Sequence, residues 1–297
     1  MPTWGPQHRQ AAFPFTYDNL GEPGEIDQGI WPADKPYGAH PSVFETLPVI
    51  LDVMKRRDHK VTFFIEGWSA EHYPDAVRRI HDEGHEVACH AYCHEVWFKL
   101  SEDEQTRLLT RATEAFDAIG ISPKGFRMPG GASSDHTEKL AASLGYSYIS
   151  AAGGAAGTRN GIAIMPYQMG GVDLCYYLSA VAGQYAHPGV DPAAPETDRI
   201  VLGFRLTRED TIAAGDCSAT ISHTVIPLTE PGRAETLDAL IRELQEDERV
   251  WAPTLAEAAD WILADPDAYP KPMLRKMGED WDPDKLNKKF VDETLAG

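Results

Sequence analysis

The sequence predicts an α/β protein, a barrel of about seven strands with helices outside it, and three observations carry that prediction. Short apolar runs of strand character alternate with stretches of helical period almost throughout, the pattern of repeated strand-helix units and a parallel sheet. The runs number seven or eight, enough to suggest a barrel. Acid, Arg and His side chains stand at the ends of several of them, and α/β barrels gather chemistry at the carboxyl ends of their strands.

Taken in order, the expected strands are 12–18, 61–67, 86–90, 125–129, 146–151, 200–206, 219–223 and a short one near Val250. Val43, Leu47, Ile50, Leu51 and Met54 recur at helical spacing over 42–57, as do Ala76, Val77 and Ile80 over 73–82. Ser101 with Glu104 forms a capping box that opens a helix toward Ile119, stopped by Gly120. Thr254 with Glu257 repeats the pattern before 258–263. Two segments break the rhythm: 21–37, with Gly21, Pro23, Gly24, Gly29 and Pro32, and 185–198, with His187-Pro188-Gly189; both read as long loops, frequent carriers of function. One catalytic domain is expected over 1–265. The remainder, 266–297, with Pro270, Pro272 and Pro283 among charges, reads as an arm that packs Trp281 and Phe290 on a neighbouring subunit, so a homo-oligomer is expected.

Hydrophobic content of 42% and charged content of 25% give the chain enough apolar material for a sizeable core. With 27 Lys and Arg against 46 Asp and Glu, the net charge of -19 repels phosphate backbones and anionic lipid, so neither nucleic acid nor membrane is expected as a partner. No run approaches the roughly 18 apolar residues of a bilayer span, and the first ten residues lack a leader pattern. A cytoplasmic protein is therefore expected, with Cys89, Cys93, Cys175 and Cys217 reduced.

The most informative stretch is Gly84-His85-Glu86-Val87-Ala88-Cys89-His90-Ala91-Tyr92-Cys93-His94, where a strand gives way to a loop or turn. His90 and His94, four apart, place two imidazoles on one side of a turn, a frequent arrangement for a divalent metal. Cys89 and Cys93 have three residues between them, which is not the haem-attachment spacing, and are read as small packing residues. Asp18, in Phe15-Thr16-Tyr17-Asp18-Asn19, ends the first strand; Arg127, in Gly125-Phe126-Arg127-Met128-Pro129-Gly130, ends another and is a candidate ion-pair partner for it. His223, in Ile221-Ser222-His223-Thr224, ends a later strand and is a candidate proton donor near pH 7.

These segments together resemble the polysaccharide deacetylase family. Phe15 to Asn19 is similar to its Thr-Phe-Asp-Asp motif, Val61 to Gly67 through His90-Ala91-Tyr92-Cys93-His94 to its second motif, Arg127 to Gly130 to its Arg-x-Pro-x-Gly motif, and Ile221-Ser222-His223 with Pro227 to its last. The resemblance runs in family order from Phe13 to Leu263 and implies a distorted (β/α) barrel of about seven strands. It also implies hydrolysis of a carbon-nitrogen bond other than a peptide bond, in a small-molecule or carbohydrate-derived amide, by water bound to a divalent metal, zinc in first place. By position, Asp18 would be the general base, Arg127 its orienting partner and His223 the general acid, with Asn19, His90 and His94 as metal ligands. Two departures stand out. Asn19 occupies the place of the family's second acid, and no acid follows Leu144-Gly145-Tyr146, so the acid that orients His223 either comes from elsewhere, with Asp173 a candidate, or is absent. A ring-opening hydrolase of cyclic imides or allantoin that works without metal, and a catalytically silent binding barrel, are the alternatives.

Overall fold

Seven parallel strands close on themselves in the computed structural model, which describes residues 3–178 and 185–269. They are β1 (Thr16–Asp18), β2 (Thr62–Ile65), β3 (Glu86–Cys89), β4 (Gly125–Arg127), β5 (Tyr148–Ala152), β6 (Ile162–Val172) and β7 (Ala219–His223). Each pairs in parallel with the next, β5 joins β6 directly, and β7 returns to β1, where Asp18 lies opposite His223. The helices that cover the ring are α1 (Leu47–Arg57), α2 (Gly67–His72), α3 (Pro74–Asp82), α4 (Glu102–Ala118), α5 (Asp135–Ser143), α6 (Glu196–Ala214), α7 (Arg233–Glu246) and α8 (Leu255–Ala264). With helices outside and side chains within, strands are buried on both faces: all four residues of β2 and all three of β4 are inaccessible.

Local sequence sets many of these boundaries. Both capping boxes form, Ser101 with Glu104 on α4 and Thr254 with Glu257 on α8. Pro74 opens α3 at a position where no amide hydrogen is needed, and Gly215 closes α6 in the left-handed conformation. Gly125 starts β4 because nothing larger fits: a Cβ there would fall 1.9 Å from Cζ of Tyr148 on β5.

Three expectations are corrected. The segment 200–206 is not a strand but the middle of α6. Its buried positions are Ile200, Gly203, Phe204, Thr207, Arg208 and Thr211, a helical stripe whose polar members hid the period from an apolar count. The expected strand 12–18 is two pieces: Ala11–Ala12 pairs with Val250–Trp251 outside the barrel, and only Thr16–Asp18 enters the ring. The longest strand, β6, was not anticipated. It is entered by an antiparallel hairpin from Gly157–Arg159 through Asn160 and Gly161, both at positive φ, the signature of a type I′ turn.

Within the loop 21–37 lies one short helix, Pro23–Asp27. The arm beyond Tyr269, with Pro270, Pro272, Trp281, Pro283 and Phe290, lies outside the described residues. Among the described residues no helix is long and apolar enough to cross a membrane.

Candidate active site

Every chemically active group named from the sequence emerges at one end of the barrel, because each stands at, or just past, the carboxyl end of its strand. Asp18 is the last residue of β1, Arg127 of β4 and His223 of β7, while His90 follows β3 directly. Asp18, Asn19, His90, His94, Arg127 and His223 line one pocket, a cavity of about 160 Å³.

Asp18 and Arg127 form a buried ion pair through Oδ1 and Nη1. The guanidinium has no freedom left. Nη1 also donates to Thr16 Oγ1 at 2.8 Å, Nε and Nη2 donate to Ser150 Oγ at 3.1 and 3.0 Å, and its plane lies 3.9 Å from the Phe64 ring centre. Breaking such a pair on one side leaves an uncompensated buried charge, which generally costs about 3–5 kcal/mol.

His90 and His94 lie on a non-helical turn, reached through left-handed backbone at Ala91 and at His94 itself, and their ring centres are 5.0 Å apart. The turn is braced from two sides. Gly67 and Trp68, at the start of α2, donate their amides to Ala91 and Tyr92 carbonyls at 3.0 and 2.8 Å, and Glu95 Oε2 accepts the amides of Tyr92 and Cys93 at 3.1 and 2.9 Å. His90 Nδ1 donates to the Arg127 carbonyl at 2.7 Å, which leaves the Nε2 lone pair free on the site side, 3.8 Å from Asp18 Oδ2. Burial pushes both imidazoles down to about 3, so at neutral pH both are uncharged, as metal ligands must be.

The sequence reading overlooked Glu66. It follows β2 directly, fully buried, and its carboxylate oxygen, a His90 nitrogen and a His94 nitrogen all lie within 4.8 Å of one another. Burial pushes its carboxyl up to about 8, against the opposing effect of hydrogen bonds from Asn19 and Leu20. Its hydrogen-bond donors, the Asn19 side-chain amide and the Leu20 backbone amide, are both neutral. Asn19 turns its amide nitrogen to Glu66 Oε1 at 2.7 Å, and its left-handed backbone (φ 67°) is one that Asn tolerates well. A donor set of one carboxylate oxygen and two imidazole nitrogens fits zinc and its neighbours in the transition series. The signal was present in the sequence: Glu66 ends its strand just as Asp18 does.

His223 finds its acid in Asp173, which immediately follows β6. Asp173 Oδ1 accepts from His223 Nδ1 at 2.6 Å and Oδ2 from the His223 backbone amide at 2.7 Å. Burial disfavours the imidazolium, yet the Asp173 charge and hydrogen bond outweigh it and hold the His223 pKa above the ordinary value. With Nδ1 on Asp173, Nε2 is the nitrogen left for the pocket. The four cysteines are free, Cys89 fully buried and Cys93 half-buried; Cys89 Sγ lies 3.7 Å from the Ala91 carbonyl and Cys93 Sγ 3.6 Å from the Pro23 carbonyl.

Residues 37–149 match the sequence profile of the family Polysaccharide deacetylase. That segment is therefore similar to a polysaccharide deacetylase domain. The chain is 39% identical over 88 residues to the peptidoglycan-N-acetylglucosamine deacetylase of Bacillus cereus, a stretch covering 29% of this chain and 32% of that protein. Over 92 residues it is 35% identical to the chitin deacetylase of Colletotrichum lindemuthianum, covering 29% and 37%. The matches thus span about a third of these relatives' lengths. Among solved structures, a putative polysaccharide deacetylase from Mycobacterium smegmatis superposes with a TM-score of 0.73 at 22% identity, over 93% of this chain and 97% of that one. PuuE allantoinase superposes at 0.67 and 17%, over 89% and 93%. These structures share the fold of this chain. Glu66, His90, His94 and Arg127 fall inside the matched segment, while Asp18, Asn19, Asp173 and His223 fall outside it and are brought to it by ring closure.

Proposed function

We propose that the protein hydrolyses a carbon-nitrogen bond other than a peptide bond, in a small or carbohydrate-derived amide, as deacetylases do. The observation that carries this reading is the meeting, at one end of the barrel, of a salt-bridged carboxylate, a Glu-His-His donor set and an acid-backed histidine, with Asp18, His90, His94 and His223 lining one pocket. Glu66, His90 and His94 would hold a divalent cation, zinc in first place, with Asn19 fixing Glu66 rather than supplying the third ligand itself. Such a cation, when bound, polarises the amide carbonyl and makes water more acidic.

The other steps belong to the chain. Asp18, aimed by Arg127, takes the proton of the attacking water. Arg127 contributes by immobility, since its contacts to Thr16, Ser150 and Phe64 fix the carboxylate it holds. His223, whose imidazolium Asp173 favours, gives its Nε2 proton to the departing nitrogen, which a poor amine leaving group needs. The pocket walls exclude water with Met128, Met169, Val172, Leu174 and Ile221. A cavity of about 160 Å³ is close to the ~150 Å³ that takes a benzene ring, so size and lining favour a small substrate over a polymer strand. Free cysteines fit action in the reducing cytoplasm.

The test is elemental analysis of the purified protein, then hydrolysis of N-acetyl sugars, simple acetamides and cyclic imides with and without added Zn²⁺. Turnover that a chelator removes and Zn²⁺ restores is expected. Activity unaffected by chelation would transfer the reading to a metal-free ring opening, and inactivity on every amide would leave a binding barrel.

A further inference from the structure

Of the two carboxylates that line the pocket among the described residues, Asp18 has a task in the reaction and Glu25 has none. Glu25 belongs to the short helix Pro23–Asp27 in the loop after β1, and everything around it serves to hold it still. The Ser42 amide donates to His40 Nδ1 at 3.1 Å, which fixes the tautomer: the proton is on Nε2, which donates to Glu25 Oε1 at 3.3 Å. Ser42 Oγ in turn lies 2.8 Å from His40 Nδ1 and accepts the Gly21 amide at 2.9 Å. The Ser-His-Glu order is not a nucleophilic triad, because Ser42 is only 1% exposed; it is a brace. The loop itself is tied down by Glu22, fully buried, whose carboxylate accepts from the Tyr73 hydroxyl at 2.7 Å and the Gly38 amide at 3.0 Å.

The brace presents a carboxylate, 29% exposed at its side chain, to a pocket whose neighbouring wall is apolar. Gly24 keeps the space beside it open. Its φ is not in the left-handed region, so room rather than backbone freedom is at stake: a Cβ there would stand in van der Waals contact 3.7 Å from Asn19 Nδ2 and 3.9 Å from His94 Cγ.

We propose that Glu25 is a specificity-determining residue, whose free carboxylate oxygen accepts a hydrogen bond from an N–H group of a small ring amide. This deepens the amide-hydrolase reading and rests on it. A fixed carboxylate repels anionic substrates and selects those with a donor; a cavity of ring size lined by Met169, Val172 and Leu178 desolvates a flat ring at low cost and a hydroxyl-rimmed sugar at high cost.

The probes are hydantoin, which has two N–H groups, and 1,3-dimethylhydantoin, the same ring with none. Binding of each is measured by calorimetry in an Asp18→Asn background, so that turnover does not consume the probe. Hydantoin should bind about 10- to 100-fold more tightly than the dimethyl compound, the range for a hydrogen bond to a charged group. Glu25→Leu should erase that ratio while leaving the affinity for the dimethyl compound within about twofold. Glu25→Gln keeps the shape and an acceptor beside His40 and should keep part of the preference. Gly24→Ala, in a helix that favours Ala, should weaken both probes without lowering Tm. The proposal is overturned by an absent preference in the parent, by a preference that survives Glu25→Leu, by equal loss of both probes in Glu25→Gln, or by failure of either probe to bind. A surviving preference ratio in a protein that hydrolyses no amide would instead sink the hydrolase reading and leave Glu25 as a binding residue.

Discussion

The two halves of the ring deliver their groups to the site in different ways. From β1 to β4 the strands are three or four residues long, pair without irregularity, and release Asp18, Glu66, His90 and Arg127 at or one residue past their ends. From β5 to β7 the delivery is indirect. β6 runs for eleven residues, its pairing with β7 shifts register between Tyr167 and Val172, and only then does Asp173 reach His223. The first half carries the donor set and the ion pair and includes most of the segment that matches the family; the second carries the proton donor and much of the apolar wall. The groups proposed for the reaction are concentrated in the regular half, and much of the pocket's apolar wall comes from the irregular one.

The largest effects expected are in the first half. Asp18→Asn should lower turnover by about 10²- to 10⁴-fold, the usual loss for a general base, and should cost about 3–5 kcal/mol of stability because it strands the buried guanidinium. Arg127→Met should lower turnover and also stability by about 3–5 kcal/mol, because it strands a buried carboxylate. Denaturant titration of both variants against the wild type decides it: wild-type stability in either one would mean that the partner left behind is not an uncompensated charge. Next in size, Glu66→Gln should cost about 10- to 100-fold in Zn²⁺ affinity with little change in unfolding midpoint of the metal-free protein. Asn19→Asp, adding a second carboxylate beside Glu66, should raise metal retention. Unchanged zinc stoichiometry and affinity in Glu66→Gln would remove it from the donor set.

The second half is tested by pH. Asp173 holds the pKa of His223 above its ordinary value, so the protonated donor persists to higher pH than a free histidine would allow. Asp173→Asn should move the alkaline limb of the turnover profile toward lower pH, with a smaller loss at the acid end. A profile that only scales down, without moving, would make Asp173 a structural residue.

How legible each half was follows the same division. Strand-end residues can be placed from sequence because a short, regular strand fixes where its last side chain points; Asp18, His90, Arg127 and His223 were found that way, and Glu66 was open to the same logic. Asp173 could be named only by elimination, since nothing local ties it to a residue fifty positions away. The strand β6 was missed although Asn160-Gly161 announces its hairpin, and 200–206 was misread because Thr207, Arg208 and Thr211 complete the buried stripe of α6 with polar side chains. The brace around Glu25 had no sequence signature at all, because His40, Ser42 and Tyr73 acquire their roles only through tertiary contact.

The smallest expected effect lies away from the site. His59 and His85 are buried and pushed down to about 4, chiefly by burial, so the folded state binds protons less readily than the unfolded chain, where histidine titrates near 6.5. Their contribution to stability is complete above pH 6.5 and is lost as pH falls toward 4. Chemical denaturation should show the wild type losing stability over that window, and His59→Gln losing less of it; parallel curves would exclude His59 as the cause.

The opposite end of the barrel offers a way to address stability apart from the chemistry. Glu86, at the start of β3, accepts from the Tyr148 hydroxyl at 2.8 Å, from Thr62 Oγ1 at 2.7 Å and from the Ala256 amide at 2.8 Å, while Thr62 Oγ1 accepts the Leu255 amide at 2.8 Å. Two free amides at the first turn of α8 are thereby tied to the strands, Ala256 by the Glu86 carboxylate and Leu255 by the Thr62 hydroxyl that donates to it, and the carboxylate sits where the helix dipole welcomes negative charge. The last described helix thus acts as a latch on the floor of the barrel. Unfastening it should let the ring breathe from below, and amide exchange in β2 and β3 would quicken before the donor set at the top lost its geometry.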